Sequence, residues 1–284
     1  MNIAIIIPAY NEEQYIESCI RSLLNQSYSA SEILVVDDGS SDRTKAIVES
    51  LAEIHEVLHL TSKPKSFSHQ PGGKIIKAFQ HGLKHLKLEF DVICKFDADL
   101  IFPPDYLQIL ANEFKKQTKL GMYGGFCSVN KNNAWKIEQL TNPDHLRGAL
   151  KAYRKECFND IDGLSPAMGW DTIDEMKARF KGWGVKTNTD LVVKHLKPTG
   201  ENYKKELPKL FGISLFRMRY SFTLALLTCL KMAKKKSDFY FFRIAIRAFL
   251  KAKTQPNENT FLVTEQEGAF IRRYRWKKIK ERLF

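Results

Sequence analysis

The chain has 284 residues, enough to bury a substantial core, and carries 45 Lys+Arg against 32 Asp+Glu, a net charge of +13. Its five cysteines (Cys19, Cys94, Cys127, Cys157, Cys229) are scattered and odd in number, which argues against a disulfide framework or a cysteine zinc site. There is no repeat or low-complexity tract, and Met1-Asn2-Ile3 lacks the basic stretch and long apolar region of a signal peptide, so a cytosol-facing protein is expected.

Strands and helices alternate from the first residues. Ile3 to Ile7 reads as a strand, Pro8-Ala9-Tyr10-Asn11 as a turn, and Ile16, Cys19, Ile20, Leu23 and Leu24 as the inner face of a helix. Ile33 to Val36 is a second strand, running into Asp37-Asp38 and a Gly39-Ser40-Ser41 turn. A helix follows from Thr44 to Ile54, with Ile47, Leu51 and Ile54 at helical spacing. Val57 to Thr61 gives a third strand, and Lys74 to Leu86 a helix with Ile75, Ile76, Phe79, Leu83 and Leu86 on one side. Between them, the glycines of Gln70-Pro71-Gly72-Gly73-Lys74 let backbone approach a ligand, and free amides at a helix start favour an anion. Such alternation implies an α/β fold with a mostly parallel sheet covered on both faces, whose ligands bind outside the carboxyl ends of the strands.

The fourth strand carries the most chemistry. Val92-Ile93-Cys94-Lys95-Phe96 stops on Asp97-Ala98-Asp99. On an extended backbone Asp97 and Asp99 project the same way, and two carboxylates that close repel unless a cation lies between them. Mg²⁺ and Mn²⁺ prefer such oxygen ligands, and a diphosphate is their usual anionic partner. Tyr10, Asp37, Asp38, Asp97 and Asp99 all stand at carboxyl ends, so they are expected to share one crevice.

Pro8-Ala9-Tyr10-Asn11-Glu12-Glu13, Val36-Asp37-Asp38-Gly39-Ser40-Ser41-Asp42 and Asp97-Ala98-Asp99 resemble the successive motifs of family 2 glycosyltransferases, which are inverting, metal-dependent enzymes of the nucleotide-diphospho-sugar transferase (GT-A) fold. Gly169-Trp170-Asp171-Thr172 through Lys181-Gly182-Trp183-Gly184-Val185 is similar, without gaps, to the family's Glu-Asp block and the Gly-Trp after it. The resemblance runs from about residue 3 to residue 200. It implies a donor site of Pro8, Tyr10, Glu12, Asp37, Asp38, Lys74 and Asp97, with Tyr10 stacked on the nucleobase and either Asp37 or Asp38 bonding the base or ribose while the other caps the turn. It implies a Mn²⁺ or Mg²⁺ site of Asp97, Asp99 and His195, and Asp171 as the general base. Trp170 stands where the family has Glu, and either walls the acceptor or packs in the core. Asp174 and Glu175, one turn on, read as an exposed acidic pair or as a second candidate base. The implied partners are a nucleotide-diphospho-sugar donor and a carbohydrate or lipid-linked acceptor, as in cell-surface polysaccharide or glycolipid synthesis.

Residues 1–200 carry 25 Lys+Arg and 25 Asp+Glu, so the whole excess lies in residues 201–284, with 20 and 7. This segment also holds Phe211, Phe216, Tyr220, Phe222, Phe239, Tyr240, Phe241, Phe242 and Phe249, and its uncharged run Tyr220 to Leu230 is too short to span a bilayer. It reads as a basic helical extension of a 1–200 catalytic domain. Either it lies on the anionic inner face of the cytoplasmic membrane or it packs on that domain. A nucleic-acid-binding protein would explain the tail's charge but not acidic strand ends facing one crevice, which repel a polyanion. A sugar-nucleotide pyrophosphorylase would carry Gly-x-Gly-Thr-Arg where Pro8-Ala9-Tyr10-Asn11 stands.

Overall fold

A computed structural model of the protein describes residues 1–63, 72–138, 144–197, 206–255 and 261–281. The first half alternates as its sequence pattern implies: β1 (Ile3–Ala9), α1 (Ile16–Leu24), β2 (Glu32–Asp37), α2 (Thr44–Ala52), β3 (Leu58–Ser62), α3 (Gly73–Leu83), β4 (Val92–Phe96), β5 (Leu100–Ile101) and α4 (Tyr106–Lys116). There follow β6 (Leu120–Lys131), β7 (Ala134–Ile137), β8 (Leu150–Arg154), α5 (Lys155–Asp160), α6 (Trp170–Phe180) and β9 (Gly184–His195), then α7 (Leu207–Arg217), α8 (Phe222–Lys236), α9 (Phe239–Thr254) and α10 (Glu265–Lys280).

One sheet runs β3-β2-β1-β4-β8-β6-β9-β5, with β7 on β6. The half from β3 to β4 is parallel; β8 is antiparallel to β4 and to β6, while β6 and β9 are parallel. The strands are continuous apolar runs because both faces are covered. Ile3, Ile5, Ile7, Ile33 and Val35 pack toward α1, α2 and α4, while Ala4, Ile6, Leu34 and Val36 pack toward α3, α5 and α6. Pro8 stands inside a central strand, a position that normally needs its N–H. Here the β4 ladder stops at Ile6, and even-numbered residues of β1 face β4, so no rung is lost. In α2 the inward face is Thr44, Val48 and Leu51, and Ile54, expected inside, lies past the helix end and is exposed.

The C-terminal extension has its own core of Leu215, Met218, Tyr220, Leu224, Phe241, Ala245, Phe249 and Ile271, which is continuous with Ile173 and Met176 of α6. A Cβ on Gly212 would stand 1.9 Å from the Ala245 carbonyl oxygen, so glycine is what lets α7 and α9 pack backbone to backbone. Phe180 against Phe270 and Arg179 over Tyr274 attach α10 to α6, and Tyr274 donates to Asp144. Most of the extension's aromatic residues thus pack on one another, and Phe270 and Tyr274 join it to α6. Among the described residues no helix is long and apolar enough to cross a membrane. The expected boundary at residue 200 lies outside the described residues.

Candidate active site

Two loops at the carboxyl ends of β1 and β2 are bonded into one rim. Asn11, at φ 54°, receives the Ser41 amide on its side-chain oxygen at 2.9 Å and donates its own amide to Ser40 Oγ at 3.0 Å. Thr44 Oγ1 accepts the Glu12 amide and Asp42 accepts the Glu13 amide. This rim leaves Tyr10 half exposed, at 50%, with its ring free to stack on a planar ligand. The two aspartates have different partners. Asp37 is buried and accepts the Ser40 amide, capping the turn, while Asp38 pairs with Lys63 Nζ at 2.9 Å.

At the end of β4 the chain leaves extended geometry after Phe96, so Asp97 and Asp99 are placed by a turn rather than by strand alternation. Asp97 takes the ammonium of Lys95, which also donates to the Gly148 carbonyl at 3.0 Å. Asp99 is brought to His195 by the pairing of β5 with β9, and its Oδ2 lies 3.2 Å from His195 Nε2. Glu12 reaches the same place: it pairs with Lys197 Nζ at 2.5 Å, and burial raises its carboxyl above the ordinary range, against Lys197 and with help from Asp99 and Asp97.

This corner fits a hard divalent ion. Cis ligands of an octahedral ion at about 2.1 Å stand roughly 3.0 Å apart, close to the Asp99–His195 separation of 3.2 Å. His195 Nδ1 is buried without a hydrogen bond and faces Glu138 Oε2 at 3.6 Å, the usual arrangement of a carboxylate orienting a ligand histidine. Glu138 is in turn held by Arg147. Cys127, Glu138 and His195 cluster closely enough to hold an ion together, but burial pushes the Cys127 thiol up to about 12 and hard ions prefer oxygen. By this chemistry Asp99, His195 and Asp97 are the groups that would hold such an ion, with Glu138 beside the His195 ring and Cys127 a neighbour.

The candidate base, Asp171, stands on the first turn of α6, which is entered through Gly169 at φ 81°. Trp170 is buried with the Lys95 and Lys151 ammonium groups each 5.5 Å from its ring, so it packs in the core. Asp171 follows with its side chain 34% exposed, a carboxylate at a helix N-terminus. Gly148 lies directly over this turn, where a Cβ would come within 2.8 Å of Trp170 and 3.4 Å of Asp171 Cβ. The path Asp97, Lys95, Gly148, Asp171 thus joins the metal corner to the candidate base. Burial raises the carboxyl of Asp171, but the hydrogen bond and charge of His145, then Lys151, win and hold it down to about 2.

Asp174 and Glu175 are not the exposed pair that their spacing suggests; both are buried. The Lys151 ammonium reaches in from β8 to Asp174 Oδ1 and Oδ2 at 2.8 and 2.9 Å and to Glu175 Oε1 at 3.3 Å. Tyr153 donates to Asp174, and Glu175 accepts the Leu146 amide. Neither carboxylate is open to an acceptor, which leaves Asp171 as the solvent-facing acid of this turn. Lys74 sits in the first turn of α3, whose Gly72 N-cap packs against Ala167 and Met168 just before α6; residues 64–71 of its loop lie outside the described residues, as do Pro198 to Gly200 after His195. Lys95, His145, Arg147, Lys151 and Glu138 went unread in the sequence. The one local signal was a lysine inside each of two apolar strands, Val92 to Phe96 and Leu150 to Tyr153.

The fold and site define a nucleotide-diphospho-sugar transferase architecture, and known proteins agree. A model of glycosyl transferase family 2 matches residues 4–169, more than half of the chain, and the protein belongs to that family. The match ends just before Trp170 and Asp171. A dolichyl N-acetyl-α-D-glucosaminyl phosphate 3-β-D-2,3-diacetamido-2,3-dideoxy-β-D-glucuronosyltransferase of Methanococcus voltae is 29% identical over 164 residues, 55% of this chain and 49% of that protein. A poly-β-1,6-N-acetyl-D-glucosamine synthase of Staphylococcus epidermidis is 29% identical over 165 residues, 57% of this chain and 38% of that protein. The chain spans less than half the length of either. Among solved structures, a mannosyltransferase of Pyrobaculum calidifontis in complex with GDP-Man and Mn²⁺ aligns with a TM-score of 0.55 at 17% identity, covering 100% of this chain and 81% of that one, which supports the GT-A fold.

Proposed function

We propose that the protein moves a sugar from a nucleotide-diphospho-sugar to an acceptor hydroxyl with inversion. The observation that carries this reading is the convergence of Tyr10, Asp38, Asp97 and the Asp99–His195 pair at the carboxyl ends of β1, β2 and β4, with Asp171 on the adjoining turn of α6. Tyr10 stacks on the base, Asp38 with Lys63 meets the base or ribose, and Asp97 lies beside the diphosphate. Asp99 and His195 hold Mn²⁺ or Mg²⁺, which when bound offsets negative charge on the leaving diphosphate. Asp171 takes the acceptor hydroxyl's proton as that oxygen bonds the anomeric carbon. The carbon–oxygen bond to the diphosphate breaks on the opposite face, and its electron pair leaves with the nucleoside diphosphate. Residues 1–200 do this chemistry. The names of the relatives support a carbohydrate or lipid-linked acceptor in polysaccharide or glycolipid synthesis.

The extension, residues 201–284, brings the enzyme to the cytoplasmic face of an anionic membrane, through surface that its own helical core leaves uncovered. The contact is the α8–α9 turn, where Lys234, Lys235 and Lys236 end one helix and Phe239 and Tyr240, each 67% exposed, begin the next.

The test is nucleoside diphosphate release from a panel of UDP-, GDP- and TDP-sugars with Mn²⁺ present. One or a few donors should turn over, and release from none, with no nucleotide bound, would contradict the reading.

A further inference from the structure

His145 lies in no family motif. It directly precedes the Leu146–Gly148 segment that crosses Asp171, and its ring stands between two carboxylates. Nδ1 is 2.9 Å from Glu175 Oε1, and Nε2 is 3.5 Å from Asp171 Oδ2. A neutral imidazole has a single N–H, so the ring can donate to both carboxylates only as an imidazolium. The anchor is itself fixed, because Glu175 Oε1 also accepts the Leu146 amide at 2.8 Å and lies 3.3 Å from the Lys151 ammonium. A continuous polar chain therefore runs from Lys151 in β8 through Glu175 and His145 to Asp171, and of its members Asp171 is the most exposed, at 34% of its side chain. Burial opposes a charge on His145, yet Glu175 and Asp171 together raise its pKa to about 10.

Resting on the assignment of Asp171 as the base, we infer that His145 is its positioning residue. Anchored by Glu175, the ring holds Asp171 Oδ2 and leaves Oδ1 to face the acceptor hydroxyl. A paired carboxylate is a weaker base, so the arrangement trades basicity for orientation. Orientation is the larger effect, since a displacement of about 1 Å costs on the order of 10²-fold in rate. The contact at 3.5 Å is long for a hydrogen bond, as catalytic contacts often are before substrate closes on them.

The test is a double-mutant cycle on the full chain, H145Q, D171N and both, using the nucleotide sugar that the release panel turns over fastest, with Mn²⁺. D171N should lower kcat by about 10²–10⁴-fold. H145Q should lower it by about 10–10²-fold with donor affinity unchanged. The double variant should be no slower than D171N alone, because His145 acts only through Asp171. Wild-type kcat in H145Q beside an impaired D171N refutes the positioning role alone, as does a further H145Q loss in the D171N background. Near-normal turnover by D171N overturns the base and the inference together. Should H145Q fail to fold, ring ¹⁵N shifts in the unsubstituted chain decide instead. They should report an imidazolium at pH 8, and a neutral ring there refutes the inference.

Discussion

Lys151→Met removes a charge from the interior and leaves the stem that fills its space. The ammonium is wholly buried and serves both Asp174 oxygens, Glu175 Oε1 and the Asp171 carbonyl. In its absence Asp174 keeps no ion-pair partner among the described residues, while Glu175 and Asp171 still face His145. Breaking a buried ion pair from one side costs about 3–5 kcal/mol, which for a chain of this size lowers Tm by roughly 5–8 °C. The loss should depend on pH with a definite sign. Burial already raises the Asp174 carboxyl, and Lys151 is what pulls it back. Without that lysine the folded-state pKa rises further above the unfolded one, so the deficit grows as pH rises and is smaller at pH 5 than at pH 8. Denaturant unfolding followed by circular dichroism at both pH values measures it. Lys155→Met, at the exposed Glu89 pair, is the control and should show no measurable change. A K151M loss below about 1 kcal/mol, flat with pH, would mean that Asp174 and Glu175 are solvated and that the polar chain to Asp171 does not exist.

His145 gives a second signature. Its folded pKa of about 10 lies above the ordinary value of 6.5, so its stabilisation is complete below pH 6.5 and lost as pH rises through 10. Unfolding free energy should therefore fall between pH 7 and pH 10 in the wild type, and this component of the slope should vanish in H145Q; identical slopes would contradict it. At the membrane, full-length protein should sediment with vesicles containing anionic lipid and come off at high salt. Replacing Lys234, Lys235 and Lys236 with Gln and Phe239 and Tyr240 with Ser should abolish that binding, and equal binding by this variant would refute the turn as the contact.

The donor half of this molecule was legible because its physics is local. Ile3 to Ile7 and Ile33 to Val36 are apolar throughout, Val92 to Phe96 is apolar but for Lys95, and the runs lead into Tyr10 or Asp, which reads as buried strands opening on a polar crevice. Asp99 and His195 meet because β5 pairs with β9, and that register has no local signal. The acceptor half was harder for the same reason. Asp174 and Glu175 look like the wet side of a helix until a lysine arrives from a strand over twenty residues earlier to neutralise them. His145 and Arg147 stand in a stretch without periodicity, so only the tertiary fold shows what they touch. In the extension the helices were readable from composition, but hydrophobic spacing tells which side is covered and not by what. That cover is α6 and the helices themselves.

The central claim is a nucleotide diphosphate held through a divalent ion at Asp99 and His195. Calorimetric titration of UDP and GDP into the full chain, once in excess Mn²⁺ and once in excess chelator, tests it most directly. One nucleotide should bind with Mn²⁺ and weaken at least about tenfold in chelator, and Asp99→Ala should reproduce the chelator result in the presence of Mn²⁺. Equal affinity with and without the metal, or an Asp99→Ala protein that binds as the wild type does, would contradict the account.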